Sequence, residues 1–97
     1  VGTSSGLAVI GVEDSGQNCI AVIPGANGQV RSDDITAAES SIAAADALLL
    51  QLEIPVETVI AAIRIARRHN VLAILDPAPV PTEFPAELLQ VDVVCPN

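Results

Sequence analysis

The sequence contains no lysine. It has four arginines and twelve acidic residues, which gives a formal net charge of −8. A surface this acidic repels the phosphate backbone of nucleic acids, so nucleic-acid binding is excluded. The absence of lysine also excludes a P-loop for phosphate. Gly11 and Gly16 have the P-loop spacing, but Gln17 occupies the position where that motif requires lysine.

Long apolar runs are also absent, and the longest fall far short of the roughly 20 residues that a membrane span requires. Hydrophobic residues nevertheless make up 51% of the chain, which argues against disorder. At 97 residues the chain forms one domain at most, and folding buries about 60 to 65% of the surface of a chain this short. Because methionine is absent and Val1 comes first, we interpret the chain as an internal piece of a longer one.

The two cysteines, Cys19 and Cys95, lie far apart in apolar runs and form no C-x-x-C pair. This pattern predicts reduced, buried thiols without a metal. His69 has no partner at metal-ligand spacing, so we assign it a surface role at the end of a helix. No export signal is present, and the cytoplasm is therefore the default location.

The first part of the chain predicts a β-hairpin. Residues 6–13 and 17–24 are rich in β-forming side chains, and Asp14-Ser15-Gly16 between them suits a short loop with a positive φ angle at glycine. Residues 24–28 then combine several turn formers. A close approach of this backbone to a ligand is one interpretation, and a plain turn is the preferred one.

The rest of the chain alternates between helix and strand. Strands are predicted at 47–52, 71–75 and 91–95. A first helix is predicted to begin at the N-cap Ser32, a second helix to run from Pro55 to Arg67-Arg68-His69-Asn70, and a short third helix to span 84–90. Right-handed crossovers place such strands parallel in one sheet flanked by helices, an α/β fold. The nearly continuous apolar run at 47–52 predicts a central strand covered on both faces.

Three polar residues directly follow the predicted strands: Glu53, Asp76 and Asn97. Ligands of parallel sheets bind at the carboxyl ends of the strands, so these residues are candidates for a site. The alternative is that they cap strands and helix N-termini. We expect the carboxylate of Glu53 to be desolvated on one side, a cost that a sugar hydroxyl or a cation would offset.

Four motifs carry a resemblance along the whole chain: Pro24-Gly25-Ala26-Asn27, Gln51-Leu52-Glu53-Ile54-Pro55, Asp76-Pro77-Ala78-Pro79 and Cys95-Pro96-Asn97. In this order and spacing they resemble the ribokinase-like (phosphofructokinase-B type) carbohydrate kinases. The resemblance implies an α/β core with a β-sheet lid. Residues 1–28 would then form a hairpin and turn of the lid, and residues 29–97 part of the α/β core, both within one larger domain. It also implies a homodimer that pairs its lids.

The resemblance also implies roles for individual residues. Glu53 would hydrogen-bond the sugar, while Ala8, Ile10 and Val22 of the lid strands would contact it or close over it. Asn97 would open the family's N-x-x-E motif near the nucleotide phosphates and magnesium. Asp76 would have a supporting role. No catalytic residue and no direct metal ligand of the family falls within this chain.

The implied reaction transfers the γ-phosphoryl group of ATP to the 5-hydroxyl of D-ribose and yields ribose 5-phosphate. Such chemistry requires positioning, Mg²⁺ and a base, and the family suggests K⁺ as a further ion. The family's base lies in a G-A-G-D segment, and this chain contains no such segment. We therefore expect the 97-residue chain alone to be inactive. Two alternatives stay open: another kinase of this fold, such as a fructokinase or nucleoside kinase, and a non-catalytic α/β binding domain. A receiver domain is disfavoured because it requires a lysine.

Overall fold

The computed structural model describes residues 2–96, which form two β-sheets and several helices. One sheet is an antiparallel hairpin, and the other has three parallel strands in the order β3-β4-β5. The predicted hairpin, and the predicted parallel sheet that alternates with helices, are therefore confirmed. No helix within residues 2–96 is long and apolar enough to cross a membrane.

The hairpin consists of strands β1 (Leu7–Val12) and β2 (Asn18–Ile23), paired from Leu7 opposite Ile23 to Val12 opposite Asn18. The predicted glycine of the loop is confirmed, because Gly16 has a φ of +85° and its N–H donates to the carbonyl oxygen of Glu13. Every residue of both strands is exposed. The hairpin therefore presents apolar side chains on two open faces.

A 3-10 helix (Gly25–Gln29) leads from the hairpin to helices α1 (Ser32–Ala37) and α2 (Glu39–Ala43). The sequence predicted one helix here, but the backbone breaks at Ala38, whose ψ is 4°. The predicted N-cap at Ser32 is wrong, since Ser32 already lies in the first turn. The start of α1 is instead satisfied by Asp34, whose carboxylate accepts a 2.8 Å hydrogen bond from the backbone N–H of Arg31.

The parallel sheet contains β3 (Ala47–Leu50), β4 (Leu72–Leu75) and β5 (Val93–Val94). Helix α3 (Val56–Arg68) connects the first two strands, and a second 3-10 helix (Ala86–Leu89) precedes the third. Each strand is shorter than its predicted run, although hydrogen bonds from Asp92 to Ala73 and from Cys95 to Leu75 continue the contact of β5 with β4.

The prediction that residues 47–52 form a central strand covered on both faces is wrong for the described residues. Strand β3 lies at the edge of the sheet, and β4 is central. The side chain of Leu49 is 75% exposed. The apolar run indicates a buried environment. It does not indicate which strand is central or which part of the protein covers the second face.

The core lies between helix α3 and one face of the sheet. Val59 and Ile63 of α3 pack with Leu52, Leu75 and Leu88, and each of these residues is at most 6% exposed. The apolar stripe predicted for this helix is therefore confirmed. The helix ends as predicted, because the following Asn70 adopts a left-handed φ of 56°.

Both cysteines are free, as predicted, but neither is buried. Cys19 lies on the open hairpin, and Cys95 follows the short strand β5 at the edge of the sheet. Their apolar sequence neighbours suggested burial. Burial depends on what packs over a residue, and both cysteines are exposed in the described part of the chain.

Candidate functional site

A cleft of about 310 Å³ lies between the base of the hairpin and the loop that follows β3. It gathers three of the four residues that the sequence assigned to a sugar, namely Ala8, Val22 and Glu53. The complete lining is Ser5, Gly6, Leu7, Ala8, Val22, Ile23, Asn27 and Glu53. The wall is thus apolar at the hairpin strands and polar at Ser5, Asn27 and Glu53.

The register of the hairpin explains the apolar side of the cleft. Ala8 is paired with Val22, and the next pair outward with side chains on the same face is Ile10 with Ile20. Ile10 therefore continues this face beyond the cleft without lining it, and its side chain is 59% exposed.

The two ends of the hairpin are bound to each other at its base. The N–H of Ala26 donates to the carbonyl oxygen of Ser4 at 2.8 Å, and the hydroxyl of Thr3 donates to Oε1 of Gln29 at 2.8 Å. Gly25 adopts a φ of +54°, and a Cβ atom there would lie 2.5 Å from the Ser4 carbonyl oxygen. Only glycine allows the turn and the chain entering β1 to approach this closely.

Glu53 is held at the mouth of the cleft by its neighbours in the loop after β3. The preceding Leu52 is buried in the core, and its N–H donates to the carbonyl oxygen of Ala78 at 2.9 Å. The side chain of Glu53 is exposed. The expected desolvation of this carboxylate on one side is therefore not observed in the described chain, because the cleft is open.

Asp76 lies at a different cleft, of about 400 Å³, near the exposed face of the sheet. Its Oδ2 accepts a long 3.4 Å hydrogen bond from Gln51, whereas its Oδ1 is buried without a partner among the described residues. The structure thus places Glu53 and Asp76 after neighbouring strands but in separate clefts. Asn97, the third residue of the predicted set, lies outside the described residues.

A cluster that the sequence did not reveal joins α2 to the end of α3. Glu39 accepts hydrogen bonds from Nη1 of Arg68 at 2.9 Å and contacts Nε2 of His69 at 2.7 Å. The hydrogen bond with His69, with a smaller contribution from the nearby Arg68 charge, lowers the pKa of Glu39. About 30 residues separate these partners, so no local spacing could have identified them. They line neither cleft.

Within residues 2–96 no group of three histidine, cysteine or acidic side chains is arranged to hold a metal ion. The cleft at Glu53 offers hydrogen-bonding groups and an apolar wall. Its chemistry suits a small polar ligand with some C–H surface, which is the character of a sugar.

No protein-family profile matches the chain. It is 48% identical over 94 residues to the bifunctional ribokinase/ribose-5-phosphate isomerase A of Fructilactobacillus sanfranciscensis. The matched region covers 96% of this chain and 17% of that protein. It is 40% identical over 94 residues to the ribokinase of Staphylococcus aureus, and this match covers 96% of this chain and 31% of that protein. The chain thus spans between about a sixth and a third of the length of these relatives.

Solved structures agree with the sequence matches. The ribokinase of Thermotoga maritima superimposes with a TM-score of 0.79 at 36% identity, over 99% of this chain and 31% of that one. A structure of the Arabidopsis thaliana ribokinase complexed with ribose and ATP gives a TM-score of 0.75 at 31% identity, over 98% of this chain and 31% of that one. The agreement includes both the hairpin and the parallel sheet, because nearly the whole chain is covered.

Proposed function

Because the chain belongs to the ribokinase-like family over nearly its whole length, we propose that it is a segment of an ATP-dependent sugar kinase. The reaction is transfer of the γ-phosphoryl group of ATP to the 5-hydroxyl of D-ribose, which gives ribose 5-phosphate. The observation that carries the proposal is the cleft in which Ala8, Val22 and Glu53 meet. Since the chain spans at most about a third of its curated relatives, this activity is that of a longer protein.

In this proposal Glu53 accepts hydrogen bonds from sugar hydroxyls. A carboxylate is an acceptor with two oxygens, so it suits a ligand that offers adjacent O–H donors. Ala8 and Val22 contact the C–H surface of the sugar, and Ile10 joins them when the hairpin closes. Closure would also remove water from Glu53, which strengthens its hydrogen bonds to the sugar.

ATP and Mg²⁺ are the proposed cofactors, with K⁺ as a further ion. Asn97 is assigned to the nucleotide side, and Asp76 has a supporting role. The buried Oδ1 of Asp76 has no partner among the described residues, and such an oxygen fits a hard cation or its hydration water. Bound Mg²⁺ supplies charge neutralisation for the transferred phosphoryl group. Asp76 would support this ion from the end of β4 through a hydration water, not as a direct ligand.

No residue of this chain is proposed as the catalytic base. We therefore expect the isolated 97-residue chain to be inactive when ATP, Mg²⁺ and ribose are supplied. Detection of ribose 5-phosphate in that mixture would contradict this part of the proposal.

The test of the proposed function uses the intact kinase that contains this segment. Wild-type enzyme should phosphorylate ribose with a higher kcat/KM than fructose or adenosine. Glu53→Gln should raise the KM for ribose about tenfold or more and leave the KM for ATP unchanged, because hydrogen bonds to a charged group contribute more than neutral ones. The matched control is Glu87→Gln, on the exposed side of the second 3-10 helix. A preference for fructose or adenosine would reassign the substrate, and an unchanged ribose KM would remove Glu53 from the site.

Residues 1–28 are proposed to belong to a lid and residues 29–97 to the α/β core of one larger domain. We also propose that two copies pair through their lids. A two-stranded hairpin is marginal alone, and this one exposes apolar residues such as Val9, which is 57% exposed. The proposed location is the cytoplasm.

Sedimentation equilibrium of the intact kinase tests the dimer. Val9→Asp should weaken association at least tenfold, whereas Val80→Asp, on a loop residue that is 73% exposed, should not. A monomeric wild-type enzyme whose hairpin amides are protected from hydrogen exchange would contradict the dimer.

A further inference from the structure

Asn27 lines the same cleft as Glu53, although the sequence placed it only in a turn. It is half-buried, and its backbone is held on both sides. Its N–H donates to the carbonyl oxygen of Pro24 at 3.1 Å, and its own carbonyl oxygen accepts from Val30 at 3.3 Å. The side-chain carboxamide makes no hydrogen bond within residues 2–96, so its donor and acceptor are both available to a ligand.

The absence of a side chain at Gly6 leaves the carboxamide of Asn27 room in the cleft. A Cβ atom built at Gly6 would lie 3.2 Å from Nδ2 of Asn27 and 3.0 Å from the carbonyl oxygen of Pro24. Both contacts are tighter than ordinary van der Waals distance, so a larger residue would displace the carboxamide. The backbone of the turn and the start of β1 together define where Asn27 presents its polar group.

The two polar side chains differ in what they offer a ligand. The Glu53 carboxylate only accepts hydrogen bonds, whereas the Asn27 carboxamide also donates through Nδ2. A hydroxyl group donates one hydrogen bond and accepts others, so two neighbouring hydroxyls are served best by an acceptor and a donor together. A carboxylate alone would leave hydroxyl lone pairs without donors in the closed cleft.

We propose that Asn27 is a second polar ligand of the sugar, donating to one hydroxyl of a vicinal diol whose other hydroxyl is bound by Glu53. This inference rests on the proposed function, since it assigns a ligand to the same cleft. It deepens that function by making a pair of adjacent hydroxyls the feature of the substrate that the segment recognises.

The experiment measures steady-state kinetics of the intact kinase with ribose and with ATP varied separately. Asn27→Ala removes the carboxamide, and Asn27→Asp keeps its shape but replaces the donor by a charged acceptor. The matched control is Asn18→Ala, which changes an exposed asparagine of β2 outside this cleft. We expect both Asn27 variants to raise the KM for ribose about three- to tenfold or more and to leave the KM for ATP unchanged. The control variant should have the wild-type KM for both substrates.

Several outcomes would overturn the inference. A ribose KM within twofold of wild type in Asn27→Asp would do so, and this nearly isosteric variant decides the matter if Asn27→Ala fails to fold. An equal rise of the KM for both substrates would instead assign Asn27 a purely structural role. If the wild-type kinase neither binds nor phosphorylates a sugar, the proposed function fails first. If Glu53→Gln is impaired while Asn27→Asp is not, only the present inference fails.

Discussion

The hydroxyl group of Thr58 donates a 2.8 Å hydrogen bond to the backbone carbonyl oxygen of Val30. Thr58 lies in the first turn of α3 and is 1% exposed, and Val30 lies between the first 3-10 helix and α1. This bond therefore connects the segment leaving the hairpin to the helix that follows Glu53. The hairpin base and the loop that carries Glu53 form the two sides of the cleft, and this bond is part of what connects them.

Replacing Thr58 by valine should destabilise the protein. Valine fills nearly the same volume but donates no hydrogen bond, which leaves the Val30 carbonyl without its partner. We expect the free energy of unfolding to fall by about 1 to 2 kcal/mol. Urea denaturation of the intact kinase measures this change. Thr36→Val is the matched control, because Thr36 is exposed and, among residues 2–96, its hydroxyl donates within α1, to the carbonyl oxygen of Ser32. Equal losses in the two variants would contradict a special role for the Thr58 bond.

Leu88 and Leu89 allow a direct comparison of a buried and an exposed leucine. Leu88 is fully buried against the core of α3 and the sheet, whereas Leu89 is 58% exposed. Leu88→Ala should cost about 2 to 5 kcal/mol through lost burial and the cavity left behind. Leu89→Ala should cost less than about 0.5 kcal/mol. Thermal and chemical denaturation of both variants measure the difference, and similar midpoints would show that the second 3-10 helix is packed differently.

Gly25→Ala should damage both stability and the proposed binding of the sugar. Alanine is strained at a φ of +54°, and its Cβ would collide with the Ser4 carbonyl oxygen. We expect a loss of about 2 kcal/mol or more, together with a raised KM for ribose, because the turn positions Asn27. Gly28→Ala is the control, since the nearest atom to a Cβ there is 3.8 Å away. A stable Gly25→Ala enzyme with normal ribose KM would contradict the close approach of Gly25 to Ser4.

The cluster around Glu39 predicts a dependence of stability on pH. Its contact with His69 lowers the pKa of Glu39 below the ordinary value of 4.5. A carboxylate with a lowered pKa contributes stability that is fully present above its unfolded-state pKa and is lost as the pH falls through its folded-state pKa. Glu39→Gln should therefore be less stable than wild type at neutral pH, and the difference should shrink below about pH 4.

Denaturant unfolding at a series of pH values measures this difference. Glu83→Gln, on an exposed loop residue, is the matched control and should follow the wild-type curve. A constant gap between Glu39→Gln and wild type from neutral to acidic pH would contradict the contribution of the ionised carboxylate.

Some features were predictable because they depend on short-range physics. The positive φ of Gly16 follows from a three-residue loop between two β-forming runs. The apolar stripe of α3 follows from helical periodicity, and the left-handed Asn70 follows from the chemistry of helix ends. The carboxyl-edge position of Glu53 follows from the rule for parallel strands.

Other features required the folded chain. The contact between Glu39 and His69 depends on how α2 packs against α3, and the place of Asn27 beside Glu53 depends on the closeness of Gly25 to Ser4. Apolar neighbours suggested that Cys19 was buried, yet burial depends on what lies across the strand. The sequence by itself therefore determined the hairpin, the alternation of helix and strand that follows it and the parallel sheet, because propensity and periodicity act over a few residues. Only the tertiary structure decided which side chains share a cleft, because that depends on contacts between residues far apart in the chain.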